Sequence, residues 1–174
     1  MREPGPETVA LRAAAAADVA DIAAIWSEGW GEAHEGRVPE ALLAHRSAAD
    51  LHARVPELIP AATVATVAGT VAGFTVVLED EVDQIYVARR HRGSGAGGLL
   101  LAAAESQVAE RFERAWLAVV AGNESARRFY ERHGWRDGGG FDFAAWTTGE
   151  ATIPVPCRRY EKLVGGARGP GSGP

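Results

Sequence analysis

Apolar positions change their period repeatedly along this chain, and each change announces an element. Val9 to Arg12 reads as a short strand. In the alanine-rich run from Ala13 to Trp30, the residues Val19, Ile22, Ile25 and Trp26 recur at helical spacing, with Asp18 placed as the N-cap. The polar side of that helix is weak, so it is expected to pack on a sheet. Trp26 and Trp30, four apart, read as a core pair. Trp30, His34 and Glu35 are expected beyond the helix end, where they either line a pocket or simply pack. The stretch from Gly29 to Pro60 is the least legible. Leu42, Leu43, Leu51, Val55 and Leu58 suggest one or two further helices, with boundaries at Pro39, Pro56 and Pro60.

From Ala61 the period drops to two. Thr63–Val67 and Val71–Val77 flank Ala68-Gly69-Thr70, the signature of a tight hairpin. Leu78-Glu79-Asp80 turns the chain into a further strand, Val82 to Val87. A basic run, Arg89 to Arg92, and three alternate glycines, Gly93, Gly95 and Gly97, then precede an apolar helix opening near Leu99. Leu100, Ala104, Val108 and Phe112 give that helix one apolar stripe. Ala115 to Val120 is uniformly apolar, which predicts a strand buried on both faces. Asn123 and Gly134 bracket the next helix as N-cap and C′ residue. Phe141–Trp146 and Val155–Leu163 are expected to form a closing hairpin.

Antiparallel strands leading into a glycine turn predict an α+β fold and not a doubly wound one. With 174 residues and 47% hydrophobic content the chain has material for one domain, expected over residues 8–164. Residues 1–7 read as a flexible lead-in and 165–174 as a disordered Gly/Pro-rich tail. No apolar run is long enough to cross a bilayer and the N-terminus lacks a basic region followed by a hydrophobic one, so the expectation is a cytoplasmic protein without membrane contact. The single cysteine, Cys157, excludes a disulfide framework and a cysteine-rich zinc site, and no metal is expected. A formal charge of -5 argues against nucleic acid as a partner. Against that background the basic turn at Arg89 to Arg92 stands out, either as a solvated loop or as an anion site.

The glycines favour the anion site. They permit positive φ and close approach of a ligand, and the first amides of the following helix lack intrahelical acceptors. The letters Gly93 to Gly98 also satisfy G-x-G-x-x-G. A dinucleotide fold, however, needs a strand running directly into the first glycine and a carboxylate at the end of the next strand, and here that strand runs into Ala121-Gly122-Asn123. A Walker A loop is excluded because no Gly-Lys-Ser/Thr follows.

The turn resembles the acetyl-coenzyme A loop of the Gcn5-related N-acetyltransferases, Arg/Gln-x-x-Gly-x-Gly/Ala. Two registers match, Arg90-Gly93-Gly95 and Arg92-Gly95-Gly97, and the spacing from Val87 favours the second. Arg89 stands where the family often has proline. The helix after Asn123 resembles the second half of the family pattern, Asn-x-x-Ala-x-x-Phe-Tyr-Glu-x-x-Gly-aromatic, at every position from Asn123 to Trp135. Asn123 and Tyr130 are seven apart, so they share a helix face about 10 Å apart along the axis, with the small Ala126 between them.

This resemblance implies a mostly antiparallel sheet splayed beside the loop and flanked by helices, with acetyl-coenzyme A as co-substrate. It further implies transfer of the acetyl group directly to a primary amine of a small molecule or peptide. Arg92, Gly93, Ser94, Gly95, Ala96 and Gly97 would hold the diphosphate, and Asn123 and Ala126 the pantetheine arm. Backbone amides of Ile85, Tyr86 and Val87 would hold the acetyl oxygen, and Tyr130 would protonate the departing thiolate. Glu81 is the expected base, with Asp83 as its rival, and alternation along the strand puts both on one face with Ile85 and Val87. The same resemblance allows a homodimer. A non-catalytic acyl-coenzyme A binding module is the alternative, and a partner-binding domain with an incidental glycine loop is a third reading. Cys157 could act as an acyl-cysteine nucleophile or be a buried strand residue. An adjacent base is missing from the sequence around it.

Overall fold

The computed structural model describes residues 8–165. Seven strands form one sheet: β1 (Val9–Ala13), β2 (Ala62–Val67), β3 (Thr70–Leu78), β4 (Glu81–Val87), β5 (Arg114–Val120), β6 (Arg136–Trp146) and β7 (Thr152–Leu163). Their spatial order is β1-β2-β3-β4-β5-β7-β6. Five helices accompany them: α1 (Val19–His34), α2 (Glu40–Leu43), α3 (Ala48–Leu58), α4 (Ala96–Ala109) and α5 (Glu124–Arg132). No helix among the described residues is long and apolar enough to cross a membrane. The fold is the expected α+β one, and every neighbouring pair except β4 and β5 is antiparallel.

The helices cover both faces. On one, Ile22, Ile25 and Trp26 of α1 and Leu51 and Val55 of α3 pack on Val64, Phe74 and Val76. On the other, Leu101, Ala104 and Val108 of α4 and Tyr130 of α5 pack on Val82, Leu117 and Val119. The β2–β3 hairpin turns through Ala68 and Gly69, both at positive φ (49° and 79°), the geometry that matches the twist of the flanking strands.

Several expectations shift in the structure. Asp18 stands at the N-cap position of α1, but its carboxylate makes no capping bond: it accepts from Arg12 at 2.7 and 2.8 Å and from the Ala15 amide, closing the preceding turn instead. Helix α1 continues through Trp30 to His34, because stacking of those two rings (centroids 4.7 Å apart) rewards the extra turn. Pro56 lies inside α3, two residues before its end at Leu58, and Pro60 lies in the 3-10 turn that follows that helix. The glycine helix opens at Ala96, three residues before Leu99, with Gly95 as its N-cap. In β5, Trp116 and Ala118 are only half-buried, so one face is fully covered and the other borders a cavity. The closing hairpin forms, but β7 inserts between β5 and β6. Residues 1–7 and 166–174, expected as lead-in and tail, lie outside the described residues. Gly165 is still bonded to the domain through the Glu113 carbonyl at 3.1 Å.

The feature that positions the site is the contact between β4 and β5. These parallel strands share a single register pair, Glu81 with Trp116. Trp116 pins that point by donating its backbone amide to the Asp80 carbonyl (3.0 Å) and its indole N–H to the Asp80 carboxylate (3.2 Å). β5 then follows β7 along its whole length while β4 follows β3, so the sheet opens into a V. Gly73 lies opposite Val87 at the open end. A Cβ there would come within 2.7 Å of the Tyr86 carbonyl and 3.2 Å of the Val87 Cα, both backbone atoms that yield only if the strand moves. Gly73→Ala is therefore expected to cost roughly 1–3 kcal/mol, visible by calorimetry as a melting temperature lower by several degrees.

Candidate active site

Strand β4 carries the register defect that decides which residues enter the V. Val76 pairs with Gln84 but Val77 pairs with Val82, leaving Asp83 as the extra residue of a bulge. Simple alternation placed Glu81, Asp83, Ile85 and Val87 on one face. The bulge changes the phase at Asp83. Val82, Ile85 and Val87 face the α4 side, whereas Glu81, Asp83, Gln84 and Tyr86 all line a cavity on the α1 side. The two carboxylates therefore belong to the cavity, and the apolar end of β4 belongs to the glycine helix.

That cavity has a volume of about 270 Å³. Its walls come from α1 (Trp26, Trp30, His34), from Leu42, Arg46 and Arg54, and from the closing hairpin around Trp146. The region from Trp26 to Pro60 and the hairpin, both poorly determined by sequence pattern, meet here. Burial, then Asp83 and Asp80, push the Glu81 carboxyl up to about 7. Asp83 is also raised by burial, while it accepts from the Gln84 amide at 3.2 Å. His34 donates Nδ1–H to the Trp30 carbonyl (2.9 Å), and burial lowers its pKa to about 4, so it is neutral at pH 7. Cys157 also borders the cavity, but burial and Asp142 push its thiol up to about 11. A thiol held that way is a poor nucleophile, which favours the buried strand reading.

On the opposite side of the V lies the glycine turn. A 3-10 turn over Arg89–His91 leads into Gly93 (φ 80°) and Gly95 (φ 88°), a conformation that favours glycine at both positions. The Ser94 hydroxyl accepts from the Ala96 amide at 3.3 Å. Gly97 and Gly98 occupy the first turn of α4, where helix geometry leaves their amides without intrahelical acceptors. The same two glycines let α5 approach. A Cβ at Gly97 would touch the Phe129 ring at 3.5 Å, and one at Gly98 would lie 3.2 Å from the His133 Nε2. Arg92 and Arg89 both pair with Glu32 of α1, whose carboxyl they hold below its usual range.

Helix α5 starts where the Asn123 Oδ1 accepts from the Ala126 amide at 3.2 Å, so the carbonyl half of that side chain is committed to the cap. Seven residues on, Tyr130 is buried between Phe129, Trp135 and Tyr160, with ring centroids 5.3, 6.1 and 6.2 Å away. Burial raises its phenol above the usual value, and Tyr86 is raised by burial and then by Tyr130.

The structure thus gathers the expected residues in two groups. Arg92 to Gly97, Asn123, Ala126 and Tyr130 lie on the α4–α5 side with Ile85 and Val87; Glu81, Asp83 and Tyr86 lie on the cavity side. Sequence reasoning missed Gly29, Arg46 and Arg54. A Cβ on Gly29 would run into the Tyr86 ring, so this mid-helix glycine, unfavourable in itself, lets Tyr86 lie against α1. A glycine in an otherwise helical stretch was its available signal.

The family model described as the acetyltransferase (GNAT) family matches residues 19–135. No curated protein sequence matches the chain. Among solved structures, a GCN5-related N-acetyltransferase from Kribbella flavida is 23% identical with a TM-score of 0.68, covering 91% of this chain and 99% of its own. One from Rhodopseudomonas palustris is 21% identical with a TM-score of 0.69, covering 93% and 99%. PaiA N-acetyltransferase from Thermoplasma acidophilum, solved in complex with coenzyme A, is 16% identical with a TM-score of 0.62, covering 90% and 99%.

Proposed function

Because the chain belongs to the GNAT acetyltransferase family, we propose that it transfers an acetyl group from acetyl-coenzyme A directly to the primary amine of a small molecule or peptide. The observation that carries this reading is the V between β4 and β5, with a glycine-turned helix start on one side and a carboxyl poised near neutrality on the other. The residues present fit the co-substrate. Positive-φ glycines and uncommitted first-turn amides suit a diphosphate, and the Asn123 amide nitrogen, its oxygen being committed, suits a carbonyl of the pantetheine arm. Arg92 would exchange Glu32 for phosphate.

Acetyl-coenzyme A supplies the activated acyl group. In the proposed reaction Glu81, with Asp83 as the rival, accepts a proton from the attacking amine. Alternate backbone amides of Ile85–Val87, which no strand pairs on the β5 side, hold the oxygen as it gains negative charge. Tyr130, kept protonated by burial, gives its proton to the sulfur. One N–C bond forms, one C–S bond breaks, and the amine proton and the thiol proton balance.

The test combines binding and turnover. Acetyl-coenzyme A is expected to raise the melting temperature, and an amine panel to release free thiol. Stabilisation without thiol release would identify a non-catalytic binding module, and no stabilisation would exclude both. Gly95→Val, which forces a β-branched residue to φ 88°, is expected to weaken acetyl-coenzyme A binding roughly tenfold by calorimetry.

A further inference from the structure

The cavity carries more charge than the proposed transfer requires, and of both signs. Glu81 and Asp83 come from β4, whereas Arg46, just after α2, and Arg54, on α3, converge on Trp146. Their guanidinium carbons lie 3.7 and 4.6 Å from the Trp146 ring centroid, and Arg46 lies 5.7 Å from that of Trp30.

Arg46 is only 9% exposed. Among the described residues its side chain donates to a single acceptor, the His45 carbonyl at 2.9 Å, and it forms no salt bridge. Among the described residues Arg54 bonds only to Glu57, an exposed neighbour on its own helix, at 3.4 Å. A guanidinium has five donors, and burying it without an anion is costly; aromatic faces offset only part of that cost. Neither arginine bridges to Glu81 or Asp83, although Arg54 is close enough to offset part of the burial that raises the Asp83 carboxyl.

We infer that the acceptor is a small amine that also carries a carboxylate, a free amino acid with an apolar or aromatic side chain. Arg46 and Arg54 take the carboxylate, for which a planar guanidinium is suited. Glu81 and Asp83 face the amine. Leu42, Phe143 and Val155 enclose the side chain. A cavity of about 270 Å³ suits one such molecule, falling just below the roughly 300–1,000 Å³ of drug-sized sites. The inference rests on the acetyltransfer reading.

Paired acceptors test it: phenylalanine with phenethylamine, leucine with isoamylamine, and phenylalanine amide and a Phe-initiated tripeptide as further arms. Thiol release from acetyl-coenzyme A gives kcat/KM for each. The acid-bearing member of each pair is expected to be favoured at least tenfold, through KM, and Arg46→Gln is expected to erase that preference. Arg54→Gln supplies the same ratio if the first variant does not fold. Equal or faster turnover of the plain amines, the amide or the tripeptide overturns the inference and leaves acetyltransfer standing. Thiol release with none of them overturns the inference alone where the wider amine panel still releases thiol, and the catalytic reading with it where that panel releases none.

Discussion

Replacing Glu81 by Gln is expected to lower kcat by roughly 10²- to 10⁴-fold, the range of a lost general base, and to erase the acidic limb of the pH profile. In the wild type the carboxyl titrates at about 7 because burial, Asp83 and Asp80 all disfavour its charge. A base acts only when deprotonated, so kcat/KM should rise through about pH 7. His34, at about 4, lies too low to produce that limb. Asp83→Asn is the control: loss of the limb in that variant and not in Glu81→Gln would move the base to Asp83.

The same shift acts on stability with the opposite sign. A carboxyl whose folded pKa exceeds its unfolded value binds its proton more tightly when folded, so stability falls as pH rises from about 4.5 to about 7 and stays low above. Glu81→Gln should therefore be the more stable protein at pH 8, by roughly 1 kcal/mol once partial solvent exposure is discounted. The two proteins should converge at pH 4. Melting curves at both pH values check it, and a variant slower but no more stable would place the carboxylate in a more solvated setting.

Tyr130→Phe is expected to cost about 10²-fold in kcat, near the low end for a general acid because thiolates leave readily. Phe retains the ring that packs on Phe129, Trp135 and Tyr160, so the melting temperature should barely move. Turnover equal to wild type would mean that the sulfur obtains its proton elsewhere.

Much of the frame was legible because its signals are local. The Ala68-Gly69 turn, the Asn123 cap and Gly134 are each set by backbone chemistry within a few residues. The glycine turn and the Asn123–Tyr130 face were legible for the same reason. The cavity beside β4 was not. Its walls are separated by more than a hundred residues, as the bond between His45 and Thr148 at 2.7 Å illustrates, and no periodicity records such a meeting. The face occupied by Glu81 was misjudged because alternation assumes an unbroken ladder, and the bulge at Asp83 arises from pairing with β3. Arg46 lies in a stretch of weak pattern, where nothing in sequence distinguishes a buried guanidinium from a solvated one.

The lone register pair between β4 and β5 leaves one long edge of β4 without a neighbour. A molecule threading that gap with two amides of its own would be held as an extra, non-peptide strand. Deuterium uptake should record this: amides of β4 directed at the gap would exchange fast in the free protein and slow sharply once coenzyme A is added, while those directed at β3 stay slow throughout.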